Sequence, residues 1–153
     1  MTLQTQVLTA NDSQTELDMS TYSSYYANLR LGVSMGGRGV YAKKSFIKGE
    51  TIEIAPFICD TTFSFQDYVF QSHLPDYKSI LVLGYGSMYN HTNRPNVKYK
   101  LASIENDNTK MFMIYYANRN IDENEELTIN YGSSWWSSRN IKAKKIKSTK
   151  QIN

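Results

Sequence analysis

The sequence predicts a mostly β fold assembled from several small sheets, and three observations carry that expectation. Apolar and polar residues alternate over short stretches instead of recurring at helical spacing. Asn, Gly and Asp turn residues interrupt those stretches about every ten residues. Segments with helical spacing are few and short.

In chain order, the Thr-, Gln- and Ser-rich residues 1 to 20 read as a loosely attached arm. The segment TYSSYYANL, with Tyr22, Tyr25 and Tyr26, suits an edge strand. Gly36, Gly37 and Gly39 then form a tight loop that feeds an alternating strand. After the KGE turn, TIEIAPFIC reads as a half-buried strand, with Ile52 and Ile54 inward, Thr51 and Glu53 outward, and an end near Pro56. FSFQDYVFQSH fits one or two helical turns burying Phe65, Tyr68, Val69 and Phe70. SILVLGYGSMY is apolar and punctuated by glycine, and VKYKLAS and KMFMIYYA flank the turn ENDN as a hairpin. An acidic turn leads into a strand from Leu127 to Asn130, stopped at Gly132.

The 153 residues suit one domain able to bury its own core, and 41% hydrophobic residues exclude a wholly disordered chain. The apolar run from Ile80 to Leu83 is far shorter than the roughly 20 residues of a membrane-spanning helix. No apolar block follows a basic start in the first thirty residues, so no secretory leader is expected. Cys59 has no cysteine to pair with, and with two histidines it cannot build a zinc cluster. An intracellular (cytoplasmic or nuclear), metal-independent protein is therefore expected. Net charge is +3, yet no acidic residue follows Glu126, whereas Arg139, Lys142, Lys144, Lys145, Lys147 and Lys150 all do. The body is thus mildly acidic and unsuited to gripping nucleic acid, while the basic tail suits weak contact with polyanions or plain solvation.

Three segments can carry chemistry. Gly37-Arg38-Gly39 lets main chain approach a ligand closely, although the longer nucleotide-binding glycine patterns are absent. Tyr89-Asn90-His91-Thr92-Asn93-Arg94-Pro95-Asn96 is dense in side chains that hydrogen-bond backbone, and His91 has no nucleophile partner that would make a hydrolase. Glu125-Glu126-Leu127-Thr128-Ile129-Asn130-Tyr131-Gly132, followed by Trp135 and Trp136, suggests an aromatic-walled slot at a strand end. Each segment alone is equally at home as a turn or a core strand.

Their order and spacing are more specific. G-R-G-V-Y-A, K-G-E, L-G-Y-G-S-M-Y-N-H-T-x-x-P-N and E-E-L-T-I-N-Y-G, in that succession, resemble the SET-domain family of protein lysine methyltransferases, from about Leu31 to Trp136. The phrases D-Y-V-F and Y-G-S-S-W-W resemble its minimal viral and bacterial members, which lack a zinc-binding flank. The resemblance implies small curved sheets of the β-clip type with a C-terminal pseudoknot, and an organisation of arm 1–28, SET domain 29–136 and basic tail 137–153. It implies S-adenosylmethionine as methyl donor, with Gly37, Arg38, Gly39, Asn90, His91 and Trp136 around it. It also implies Tyr131 as the catalytic residue, and a lysine channel walled by Tyr68 and Tyr85 with Trp135 at its mouth.

On that resemblance the partner is a lysine-bearing protein, with histones among the candidates. The lid over the lysine falls to Ser133 through Arg139, with a second copy of the chain (a homodimer) as a candidate helper. The chain departs from the family in having Thr92 where serine is usual, which keeps the hydroxyl, and Trp135 where tyrosine is common, which bears on how many methyl groups are added. The competing expectation is a non-catalytic SET-like module that binds protein tails or chromatin.

Overall fold

A computed structural model describes residues 6–8, 25–34, 37–61, 67–72, 76, 78–104 and 107–139. The basic tail beyond Arg139 and the possible helical turn at residues 62–66, Phe65 included, lie outside the described residues. The fold is mostly β, as expected, with ten strands: β1 (Gln6–Leu8), β2 (Leu29–Ser34), β3 (Gly37–Ala42), β4 (Thr51–Asp60), β5 (Val69–Gln71), β6 (Ser79–Val82), β7 (Asn90–His91), β8 (Val97–Ile104), β9 (Asp107–Ala117) and β10 (Glu126–Ile129). A 3-10 turn covers Gly86–Met88, and a short helix, α1, covers Ser133–Ser137.

The strands form two sheets, ordered β1-β8-β9-β4-β6-β5 and β2-β3-β10-β7. The ENDN hairpin forms as expected between β8 and β9. In the second sheet β10 runs antiparallel to β3 and parallel to β7, so the late strand lies between two earlier ones. That insertion is what a threaded C-terminus requires. Leu127 and Ile129 of β10 point into a core shared with Val40, Ile52, Phe46 and Met113. Its polar residues are buried too: Thr128 N–H donates to Asn96 Oδ1 at 2.8 Å, and Asn96 Nδ2 donates to the Glu126 carbonyl at 2.8 Å. Asn96, 1% exposed, therefore staples the inserted strand by its backbone.

Three local expectations are corrected. First, TIEIAPFIC does not end at Pro56: β4 continues to Asp60, pairing with β9 up to Pro56 and with β6 from Phe57. Proline has no N–H to give a ladder, and it falls at the handover between partners, where its carbonyl accepts the Leu83 N–H at 2.9 Å. Glu53 is not outward but fully buried, because a bulge between Thr51 and Glu53 shifts the register and the Gly84–Tyr89 segment covers it. Second, Val69 to Gln71 form a strand paired antiparallel to β6, where helical turns were expected: β6 offers an open ladder edge, and that edge outweighs local spacing. Third, Tyr25 and Tyr26 sit in a helical turn, closed by the Asn28 N–H donating to the Tyr25 carbonyl, and do not form an edge strand. The extra edge strand comes from the arm itself, where Gln6–Leu8 pairs parallel to β8.

Candidate active site

The site is built where β10 ends. At Gly132, with φ of +83°, the chain turns through a conformation that a side chain would strain, and so swings Trp135 and Trp136 back over Tyr131. The Gly132 N–H is taken by Asn130 Oδ1 at 2.8 Å. Tyr131 packs against Trp135 at 4.8 Å, His91 at 5.3 Å and Trp136 at 6.2 Å between ring centres. Arg139 lies over the Trp135 ring at 4.1 Å, and its Nε donates to Asp67 Oδ1 at 3.0 Å. Thus the aromatic turn is tied to the loop that carries Tyr68.

Tyr131 is held from both ends. Its hydroxyl donates to the Tyr89 carbonyl at 2.8 Å, and its N–H donates to His91 Nδ1 at 3.2 Å. That second bond fixes the imidazole tautomer: Nδ1 accepts, so Nε2 carries the proton and faces Asn93 Oδ1 at 3.2 Å. Burial pulls the His91 pKa below its ordinary value, against the opposing Asn93 bond, and so favours this neutral form. Burial, then the nearby charges of Glu126, Asp67 and Tyr68, pushes the Tyr131 phenol up to about 12. The phenol therefore stays protonated at neutral pH, with its hydrogen on Tyr89 and its oxygen lone pairs free to accept.

Two cavities border this tyrosine. The larger, about 690 Å³, is lined by Tyr68, Tyr89, Tyr99, Tyr131, Trp135 and Arg139 among others. The smaller, about 140 Å³, adds Arg38, Met88 and Asn90. Asp67, Tyr68, Ser87 and Tyr131 line both, so the two share a wall. On the smaller side, Asn90 Nδ2 donates to the Arg38 carbonyl at 2.9 Å and to Glu126 Oε1 at 2.8 Å, joining the glycine hairpin to β10. A Cβ on Gly39 would stand 2.5 Å from that Glu126 oxygen, whereas one on Gly37 would meet open space. The hairpin therefore presents accessible main chain at Gly37 and tightly packed main chain at Gly39.

Of the residues singled out from sequence, Arg38, Asn90, Tyr131, Tyr68 and Trp135 line one or both cavities. Gly39 and His91 stand immediately behind them through the contacts above, whereas Gly37 borders neither cavity and precedes Arg38 in β3. Trp136 borders neither cavity: it wedges edge-on against His91 at 4.9 Å, its buried Nε1 without a hydrogen-bond partner among the described residues. Tyr85 is not brought to the cavities, and packs on Tyr26 at 5.8 Å. The larger cavity is instead lined by Tyr89, which sequence reasoning passed over as part of a turn. The pairing of Asp67 with Arg139 was likewise not foreseen, although Arg139 was expected in the lid and Asp67 in the D-Y-V-F phrase. A lone acid and a lone base 72 residues apart give no periodic signal. Among the described residues no group of His, Cys, Asp or Glu side chains is placed to hold a metal, and no helix is long and apolar enough to cross a membrane.

Comparison with known proteins agrees with this geometry. The SET domain matches residues 37–132. A histone-lysine N-methyltransferase of Schizosaccharomyces pombe, specific for H3 lysine 37, is 36% identical over 107 residues, spanning 65% of this chain and 69% of that one. The crystal structure of a Plasmodium falciparum protein assigned as a histone methyltransferase superposes with a TM-score of 0.60 at 35% identity, over 71% of this chain and 96% of its own. KRYPTONITE, crystallised with DNA, an H3 peptide and S-adenosylhomocysteine, shares the fold at a TM-score of 0.56 and 19% identity, over 69% of this chain and 23% of its own. The chain belongs to the SET-domain family and is a protein-lysine methyltransferase.

Proposed function

We propose that the chain methylates a histone lysine, with the methyl donor held at the smaller cavity, the lysine entering through the larger one, and Tyr131 at their common wall. The observation that carries this reading is the set of four residues, Asp67, Tyr68, Ser87 and Tyr131, lining both cavities. A displacement between two bound partners needs such a meeting point, because most of the rate comes from aligning the reacting atoms. SET methyltransferases use S-adenosylmethionine, which supplies a methyl group activated by a positive sulfonium. The residues present suit the methionine part of that donor, for which the 140 Å³ cavity has room: Gly37 offers open main chain, and Asn90 and Arg38 offer polar contacts beside Tyr131. The histone substrate is supported by the names of the similar proteins.

In this reading the chain's own groups do five things. Asn90, clamped by Arg38 and Glu126, fixes the wall of the donor side. The Tyr131 oxygen, its proton committed to Tyr89, accepts weak C–H···O contacts that aim the methyl. Tyr68 presents its ring face to an ammonium stem, a favourable contact worth roughly 0.5–2 kcal/mol, while Trp135, with Arg139 over its ring, closes the mouth. Enclosure among the rings of Tyr68, Tyr131 and Trp135 strips water from the amine, lowering its pKa from about 10.4 toward the neutral, nucleophilic form. Trp136 holds His91 and Tyr131 from behind. The catalytic unit spans 29–136 in this proposal, since β2 completes the sheet of the matched segment.

The test is mass spectrometry of histones incubated with the protein and methyl-deuterated S-adenosylmethionine. Labelled lysine is expected, falling ~100-fold or more in Tyr131→Phe, in the range of losses when a positioned transition-state contact is removed. Saturable donor binding without label on any histone would overturn the substrate assignment. Full activity in Tyr131→Phe would overturn the role of that residue.

A further inference from the structure

Glu53 is a buried acid with no place in the reading above. It is 0% exposed, near the start of β4, and both its oxygens are engaged. Oε1 accepts the Tyr85 N–H at 2.9 Å, and Oε2 accepts the Tyr89 hydroxyl at 2.6 Å. Those two donors stand at either end of the Gly86–Met88 turn. The turn is fixed further by the Tyr115 hydroxyl, which donates to the Gly86 carbonyl at 3.0 Å, and by Ser87 Oγ, which donates to the Val82 carbonyl at 2.9 Å. Gly84 at φ +69° leaves room for the arrangement: a Cβ there would stand 2.5 Å from the Tyr26 hydroxyl and 2.7 Å from Glu53 Oε1.

The last link runs outward. The residue gripped by Glu53 through its hydroxyl, Tyr89, is the one whose carbonyl receives the Tyr131 proton. The chain of contacts is Glu53 carboxyl, Tyr89 side chain, Tyr89 carbonyl, Tyr131 hydroxyl. We infer that Glu53 is a positioning residue for methyl transfer: through its two-point hold on the 3-10 turn it sets where the Tyr89 carbonyl, and hence the Tyr131 hydroxyl, stands. This rests on the reading of Tyr131 above and adds to it a group remote from both cavities.

A hold of this kind changes with the protonation of its anchor. An ionised carboxyl accepts from both donors, whereas a protonated one keeps a single full acceptor and must place its own hydrogen. Burial raises the Glu53 pKa to about 7, against the opposing bonds from Tyr89 and Tyr85. The titratable groups that face it are tyrosines: Tyr26 from the helical turn, Tyr85 and Tyr89 from either side of the 3-10 turn, and Tyr115 from β9. Burial and the Glu53 charge hold Tyr26, Tyr89 and Tyr115 above their ordinary values, so they remain protonated while Glu53 titrates.

Two readouts test the link on the full chain. In donor-free protein labelled with carbon-13 at tyrosine Cζ, the Tyr131 resonance is assigned by its loss in Tyr131→Phe. Read in a His91→Gln background, so that the imidazole touching Tyr131 does not titrate into the signal, it is expected to move with a single midpoint between about pH 5.5 and about 8.5, and to stop moving in Glu53→Gln and in Tyr89→Phe. In steady-state assays with S-adenosylmethionine and histone, Glu53→Gln is expected to lower kcat ~10-fold, leave both KM values within ~2-fold, and remove the inflection near neutrality from the kcat profile. Should Glu53→Gln fail to fold, Tyr89→Phe removes one hydroxyl and carries both tests. A Tyr131 resonance that stays still in the His91→Gln background, or moves unchanged in the variants, overturns the inference, as does a change confined to KM. If Tyr131→Phe keeps full kcat, the reading of Tyr131 falls and this inference falls with it. If Tyr131→Phe is inactive while Glu53→Gln is normal in both readouts, only the positioning role is lost.

Discussion

Replacing Gly39 by alanine probes the joint between the glycine hairpin and β10 with a single methyl group. The new Cβ would stand 2.5 Å from Glu126 Oε1, 3.1 Å from Asn90 Nδ2 and 3.1 Å from Ser34 Cβ. An ordinary contact to that oxygen needs close to ~3.5 Å, so something must move by roughly 1 Å. Glu126 cannot yield cheaply, since it is 6% exposed and accepts the Asn90 amide at 2.8 Å. Overpacking of this kind costs ~1–3 kcal/mol, and a chain of this size loses ~2–4 °C in Tm per kcal/mol, so a drop of ~2–12 °C is expected. Because Asn90 and Arg38 line the smaller cavity, donor affinity should fall ~10-fold or more. Gly37→Ala is the matched control: its Cβ meets nothing, but φ of +112° strains the backbone, so it should lose stability by ~1–2 kcal/mol with the Asn90–Glu126 contact intact. Calorimetric titration with S-adenosylmethionine and thermal melts read both quantities. A Gly39→Ala protein that melts and binds like the wild type would refute the reasoning that Asn90, Glu126 and the hairpin form one rigid wall.

Two further outcomes follow from the same geometry. Asn96→Ala leaves the Thr128 N–H and the Glu126 carbonyl buried without the partners that staple β10, and denaturant unfolding should show a loss of ~2–4 kcal/mol with unchanged m. His91 has a folded pKa below its unfolded value, so its contribution to stability is fully present above about pH 6.5 and is lost as pH falls through the folded value. The imidazolium cannot accept the Tyr131 N–H, so the denaturation midpoint should fall with acidity, and His91→Gln should remove that dependence. Glu53 titrates with the opposite sign, its raised pKa adding stability as pH falls from about 7, so the comparison is made in a Glu53→Gln background.

Much of the site was legible because the family's spacing carries it. Arg38, Tyr68, Asn90 and Tyr131 were singled out from sequence, and they meet around the smaller cavity despite separations such as the 52 residues between Arg38 and Asn90. The ENDN hairpin and the Gly132 stop were legible for a simpler reason, since turn chemistry is local. Tyr85 was misplaced because an aromatic after a glycine carries no sign of which way it will face. Glu53 looked outward because alternation assumes an unbroken register, and the bulge beside it is not written in the residue types.

What the chain alone determined, then, is its β character, its local turns and the ordered motifs that mark a SET domain. Those depend on steric and hydrogen-bonding preferences that act within a few residues. What only the tertiary structure decided is the neighbourhood of each side chain: Arg139 on Trp135 and Asp67, Asn96 along β10, Glu53 beneath Tyr89. Such contacts depend on which strand is inserted between which, and that is set by burial of the whole core rather than by any segment within it.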